Sequence, residues 1–216
     1  MKRQLFFDLD GTLIDSSEGI YKSIIFAMEQ LNLAEPTKET LRKFIGPPLK
    51  KSFELYCQLD GETADAAVAY YRENYGVTGM FQITPYEDII EVIEVLSQTN
   101  SLYIATSKPE KFAREILNHL NLSKYFEGIY GADLLGKRSE KAEVISYALA
   151  HHPTIIAKEA IMIGDREHDI LGGKENGMQT LGVLYGFGSK EELLGAGTDQ
   201  LAARPKDILC VLEKFN

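Results

Sequence analysis

Five short apolar runs, each closed by polar or glycine residues, limit what this chain can fold into. They cover residues 4–8, 102–106, 128–131, 160–165 and 180–184 and are rich in β-branched and aromatic side chains. Runs of this length without polar alternation suit parallel strands buried on both faces. Helical stripes alternate with them. Ile89, Ile90, Val92, Ile93 and Leu96 recur at helical spacing after Pro85, and Phe112, Ile116, Leu117 and Leu120 follow Pro109. Val144, Ile145, Ala148 and Leu149 form a third stripe, and Ile208, Leu209, Val211, Leu212 and Phe215 a last one after Pro205. A proline suits a first helical turn. The alternation predicts an α/β fold with a doubly wound, mostly parallel sheet.

Residues 16–84 break the rhythm. Their pattern is almost purely helical, with helices predicted over 17–31, 37–45, 48–59 and 62–75 and punctuation at Pro36, Gly46-Pro47-Pro48, Gly76 and Gly79. A parallel crossover needs only about a dozen residues. The segment therefore reads as a small helical domain inserted after the first strand. Residues 1–15 and 85–216 are expected to form the α/β core and 16–84 the insertion.

Composition narrows the partners. The chain has 216 residues and a net charge of −9, so clustered cations do not dominate it. A nucleic-acid duplex is not an expected partner, because backbone binding leans on clustered Lys and Arg. A small anion needs only a few local cations and N–H groups. Cys57 and Cys210 match no metal-binding spacing, and reduced, packed thiols are expected. Leu5-Phe6-Phe7 after Met1-Lys2-Arg3 is too short for a signal-peptide core. No apolar run approaches the ~20 residues of a membrane span. A cytoplasmic protein without membrane attachment is expected.

The informative polar residues fall at predicted strand ends, where open α/β sheets bind ligands. Asp8 and Asp10 follow the first strand, Thr106 and Ser107 the second, Asp133 the third and Asp165 the fourth. Asp8 and Asp10 share a face if the chain is extended there, and Gly11 then allows a sharp turn. This Asp-x-Asp-Gly sequence also fits a helix-capping turn. Two carboxylates against an apolar strand nonetheless call for a cation or hydrogen bonds, and a hard divalent ion with oxygen ligands fits. Asp165 and Asp169 supply a second acidic pair at a helix start, where a cap and a first-turn acid are the plainer reading. Thr106-Ser107-Lys108-Pro109 is expected to open a helix and offer an anion site. Lys141 is expected in the first turn of another helix, where the dipole disfavours a cation. A phosphate or the Asp8 carboxylate would compensate it, and Lys137 and Arg138 compete for that role.

Together these motifs resemble the haloacid dehalogenase-like (HAD) superfamily over essentially the whole chain. Asp8-Leu9-Asp10-Gly11-Thr12 resembles its first motif, Thr106 its second, Lys141 its third, and Gly164-Asp165 with Asp169 its fourth. The helical insertion after the first motif is similar to that of the phosphoglycolate phosphatase and β-phosphoglucomutase group. The resemblance implies a Rossmann-like core with a helical cap, and a Mg²⁺-dependent phosphatase acting on a small phosphorylated metabolite. It implies Asp8 as nucleophile, forming an aspartyl-phosphate, and Asp10 as acid and then base. Asp8, the Asp10 backbone carbonyl and Asp165 would hold Mg²⁺. Thr106 and Lys141 would bind phosphoryl oxygens, with Asp169, Gly11, Thr12 and Ser107 in support. Ser107 stands where many relatives have Asn, and Ala142 where Pro is frequent. Gly46, Pro47, Lys50 and Arg42 of the cap are expected to face the substrate.

A phosphomutase of the β-phosphoglucomutase type would use the same motifs. A dehalogenase is disfavoured because those relatives lack the second Asp of the first motif. A phosphorylatable receiver module shares the Asp, Thr and Lys chemistry but leaves the insertion unexplained.

Overall fold

The computed structural model describes residues 2–134 and 138–215. From the N-terminus run β1 (Gln4–Phe7), the two-residue β2 (Ile14–Asp15), helices α1 (Ser17–Gln30), α2 (Lys38–Arg42), α3 (Leu49–Tyr56) and α4 (Gly61–Val77), and the two-residue β3 (Thr84–Pro85). There follow α5 (Ile89–Thr99), β4 (Ser101–Pro109), α6 (Glu110–His119), β5 (Gly128–Ala132), α7 (Lys141–His151), β6 (Ala160–Gly164), α8 (Glu167–Glu175), β7 (Gln179–Val183), α9 (Lys190–Gly195), β8 (Gln200–Ala202) and α10 (Asp207–Leu212). Two compact units emerge, one of residues 1–15 and 85–216, the other of residues 16–84.

The first unit is built on a six-stranded sheet of order β5-β4-β1-β6-β7-β8. All its strand pairs are parallel. β1 lies between β4 and β6, and its core residues Leu5, Phe6 and Phe7 are fully buried. Burial on both faces explains why the strands read as continuous apolar runs. Phe6, Tyr103, Met162 and Val144 share one cluster, with Phe6 stacked on Tyr103 at 4.8 Å between ring centroids. Phe7, one residue on, meets Phe126 edge-on at 6.4 Å, as the two-residue period of a strand requires. α7 packs on β4 and β5, α8 packs on β6 and β7, and the two helices touch. The Arg3 guanidinium donates to the carbonyls of Leu212 and Phe215, tying β1 to the C-terminal segment. Tyr86 N donates to Leu13 O at 3.1 Å, so within this unit the chain leaves and returns at adjacent points.

Three predicted elements change extent. β4 continues to Pro109 and does not end at Thr106, with a register shift against β5 between Thr106 and Pro109. Thr106 therefore sits in a bulged strand, and α6 begins only at Glu110. The runs 37–45 and 48–59 shorten to α2 and α3. Gly46 adopts φ 110 before the two prolines, and Gln58 adopts φ 56 as the chain turns to cap α4. That cap is the Asp60 carboxylate, which accepts from Thr63 N at 2.8 Å. The three-residue β8 and the six-residue α9 have no counterpart among the predicted elements.

The second unit packs α1 against α4 and α3 against α4. Phe44 meets Phe53 edge-on at 5.0 Å, and Tyr71 stacks on Tyr75 at 5.2 Å. No helix among the described residues is long and apolar enough to cross a membrane.

Candidate active site

Chain connections diverge between β1 and β6. β1 leads to the β4 side and β6 to the β7 side, which makes the crevice at their carboxyl ends the topological switch point. Asp8 follows β1 directly, its backbone N–H donating to Ile163 O of β6 at 2.9 Å. Asp165 directly follows β6 and Asp169 lies in the first turn of α8. Asp8, Asp165 and Asp169 are all buried, with ligand oxygens within 4.8 Å of one another.

Lys141 opens α7 and is as buried as the carboxylates. Its Nζ lies 2.7 Å from Asp8 Oδ1 and 2.7 Å from Asp169 Oδ1, and donates to Ala105 O of β4 at 2.9 Å. The Asp8 contact is an ion pair without the alignment of a hydrogen bond. The Lys141 ammonium is thus surrounded by two carboxylates and a backbone carbonyl. Burial pulls its proton affinity down, but the charges of Asp169 and Asp8 outweigh that, and its pKa is raised. The unfavourable helix position foreseen for Lys141 is thus offset by two carboxylates. The N–H groups at the start of α7 have their own acceptor, since Glu143 takes the N–H groups of Ser139 and Glu140 at 2.9 and 3.1 Å. Arg138 is committed elsewhere. It lies 3.7 Å over the Tyr147 ring and donates to Gly131 O. Lys137 lies outside the described residues.

Asp165 Oδ2 accepts from Phe187 N at 2.7 Å, and Oδ1 accepts weakly from Thr12 Oγ1 at 3.5 Å. Asp169 divides its oxygens. Oδ1 pairs with Lys141 and Oδ2 accepts from Arg166 N at 3.0 Å, capping α8. Burial first, then repulsion from Asp169 and Asp8, raises the pKa of Asp165; burial, with repulsion from Asp8, raises that of Asp169 against the pull of Lys141. Gly11 (φ 83) is pressed onto Asp165, and a Cβ there would overlap the carboxylate. Only glycine meets both demands.

Three carboxylates share one ammonium, a local charge of −2 if all are ionised. Hard, anionic oxygen donors with that deficit fit a divalent cation such as Mg²⁺. Asp10 lies beside them in sequence but has a different partner. Its Oδ2 is 3.0 Å from the buried Lys108 Nζ, while its buried Oδ1 has no hydrogen-bond partner among the described residues. Thr106, buried, accepts from Lys108 N at 3.2 Å. Ser107 is half-buried in the same bulge.

Residues 5–183 match the haloacid dehalogenase-like hydrolase family. The chain belongs to that family. It is 44% identical over 190 residues to a 5'-nucleotidase of Pseudomonas aeruginosa, covering 88% of this chain and 86% of the relative. It is 34% identical over 185 residues to the tyrosine-protein kinase PtkA of Mycobacterium tuberculosis, covering 85% of this chain and 62% of that protein. A crystal structure described as a predicted phosphatase from Clostridium acetobutylicum superposes with a TM-score of 0.91 at 42% identity, over 98% of this chain and 100% of the other. The protein is a HAD-like phosphatase, an enzyme that hydrolyses phosphoric monoesters.

In this HAD-like phosphatase the site also recruits residues whose part the sequence did not announce. Lys108, expected only within a helix-opening anion site, pairs instead with Asp10. The segment after β7 is another, with Phe187 N donating to Asp165 and the Tyr185 hydroxyl donating to Thr12 O at 3.0 Å. The Gly186-Phe187-Gly188 run was the available signal, because such spacing marks close backbone approach. A Cβ at Gly186 or Gly188 would overlap Asp165 or Gly11. In the helical unit, Gly46 and Pro47 are half-buried in the turn before α3. Lys50 is paired with Asp65 at 2.7 Å. Arg42 is exposed at the end of α2, with no ion-pair partner among the described residues.

Proposed function

We propose that the enzyme is a Mg²⁺-dependent phosphomonoesterase in which Asp8 carries the phosphoryl group, with a nucleoside 5'-monophosphate first among its substrates. The observation that supports this reading is the buried Asp8 carboxylate held by Lys141 beside Asp165. A carboxylate attacks a phosphate poorly unless neighbouring cations offset the repulsion.

An Asp8 oxygen attacks phosphorus as the bond to the leaving oxygen breaks, and Asp10 gives that oxygen a proton. Water then attacks the aspartyl-phosphate, Asp10 takes its proton, and phosphate leaves with the Asp8 carboxylate restored. Lys141 fixes the orientation of Asp8. Thr106, whose oxygen already accepts from Lys108 N, offers its hydroxyl proton to a phosphoryl oxygen. Bound through Asp8, the Asp10 carbonyl and Asp165, with Asp169 beside them, Mg²⁺ would supply the positive charge that offsets the phosphoryl oxygens. Residues 16–84 act as a cap that selects the leaving group. Arg42 is its better candidate cation, because Lys50 is already paired. The 5'-nucleotide preference comes from the Pseudomonas relative. A phosphoglycolate-like acid or a sugar phosphate is the next choice.

The test is phosphate release from AMP, phosphoglycolate and glucose 1-phosphate, with EDTA and Asp8→Asn as controls. Release from AMP that EDTA stops and Mg²⁺ restores is expected, with Asp8→Asn inactive. Turnover by Asp8→Asn would remove the nucleophile. Indifference to EDTA would remove the metal, and hexose isomerisation without phosphate release would make the enzyme a mutase.

A further inference from the structure

Two buried cations serve this site. One, Lys141, opens a helix. The other, Lys108, arrives by a distortion of the sheet. Thr106 pairs with Gly131 of β5, yet the next paired residue on β4 is Pro109, opposite Ala132. Ser107 and Lys108 are therefore extra residues on β4, and a bulge of this kind re-aims side chains. β5 makes room with a glycine, since a Cβ at Gly131 would stand 2.5 Å from Lys108 O and 2.6 Å from Glu110 Cα. Thr106 Oγ1 accepts the Lys108 N–H at 3.2 Å and fixes the turn. The side chain so delivered is 5% exposed and ends 3.0 Å from Asp10 Oδ2.

We propose that Lys108 is the positioning residue of Asp10: its ammonium occupies Oδ2, so that the unpartnered Oδ1 is the oxygen that exchanges protons with the leaving group and then with water. An ammonium donates and cannot accept. A proton on Asp10 therefore sits on Oδ1, with Oδ2 still accepting from Lys108. A buried ion pair also holds one rotamer, whereas a lone Asp at the turn before Gly11 has several. The proposal rests on the reading of Asp8 as nucleophile and Asp10 as acid.

Single-turnover phosphorylation of the Mg²⁺-loaded full chain by two esters tests it. p-Nitrophenolate leaves unaided. Phenolate, about as basic as a tyrosine side chain at pKa ~10, needs a proton. For Lys108→Met, phosphorylation by phenyl phosphate should fall about 100-fold and that by p-nitrophenyl phosphate less than about 3-fold. Lys108→Gln, which keeps a donor, should recover at least about 10-fold of the loss. If Lys108→Met folds poorly, the same two esters with Lys108→Gln decide the matter. Equal losses with both esters would show that Lys108 acts on the phosphate itself, and no loss with either would leave it a structural charge. Either result overturns the proposal. Asp10→Asn separates the two levels. If it discriminates between the esters and the Lys108 variants do not, only the Lys108 proposal fails. If it does not discriminate, the acid assignment itself fails.

Discussion

Lys141 and Asp169 meet at 2.7 Å, and through this pair the first residue of α7 is fastened to the first turn of α8. The same ammonium restrains Asp8. Removing it would leave three buried carboxylates without a counter-charge. Lys141→Met should therefore lower the unfolding free energy of the metal-free protein by about 3–5 kcal/mol, read by urea denaturation. kcat should fall by at least about 10³-fold. A stable, active Lys141→Met protein would show that Asp8 needs no such partner.

Asp165 should be costly to the empty protein. Burial, and then repulsion from Asp169 and Asp8, raises its carboxyl pKa in the folded state. A raised carboxylate binds its proton more tightly when folded. The stability this gives is present at acid pH and is lost as pH rises through the raised value. In EDTA the Tm should therefore climb as pH falls toward the ordinary carboxylate range of about 4. Asp165→Asn should flatten the slope and raise the neutral-pH Tm while abolishing activity. A Tm in EDTA that is flat with pH would contradict this.

Glu192 carries the opposite sign. Its burial would raise it, but the Glu167 N–H at 2.9 Å and the Arg166 guanidinium at 2.7 Å prevail, and its pKa is lowered. Its contribution is present above the ordinary carboxylate range and is lost as pH falls through the lowered value. Glu192→Gln should cost about 1–2 kcal/mol at neutral pH and progressively less in acid. The comparison is made by chemical denaturation of both proteins across pH.

Gly11→Ala joins two penalties, the left-handed backbone and the overlap with Asp165. The first costs about 1–2 kcal/mol. The second should move a proposed Mg²⁺ ligand, so the Mg²⁺ concentration for half-maximal activity should rise by about 10-fold or more. An unchanged Mg²⁺ requirement with a lowered Tm would limit Gly11 to a backbone role.

The sheet was readable because β1, β4, β6 and β7 are buried on both faces and write themselves as apolar runs. β8 escaped notice because Gln200–Ala202 is three residues long and only Ala202 is buried. The acidic residues of the site and Lys141 could be placed in advance because each abuts a strand end or a helix start. Lys108 could not, since its place depends on a two-residue slip of β4 against β5 that no periodicity announces. Nor could the service of Phe187, whose contribution is a backbone N–H common to nearly every residue.

The hydrogen bond from Tyr86 N to Leu13 O has a meaning for how such a protein can change. It brings the two edges of the chain break in the α/β unit to adjacent points, so whatever is spliced between Asp15 and Pro85 adds only a slowly growing loop-closure entropy. The splice site is therefore tolerant of the size and shape of its insert, while the buried carboxylates of the α/β unit keep their scaffold.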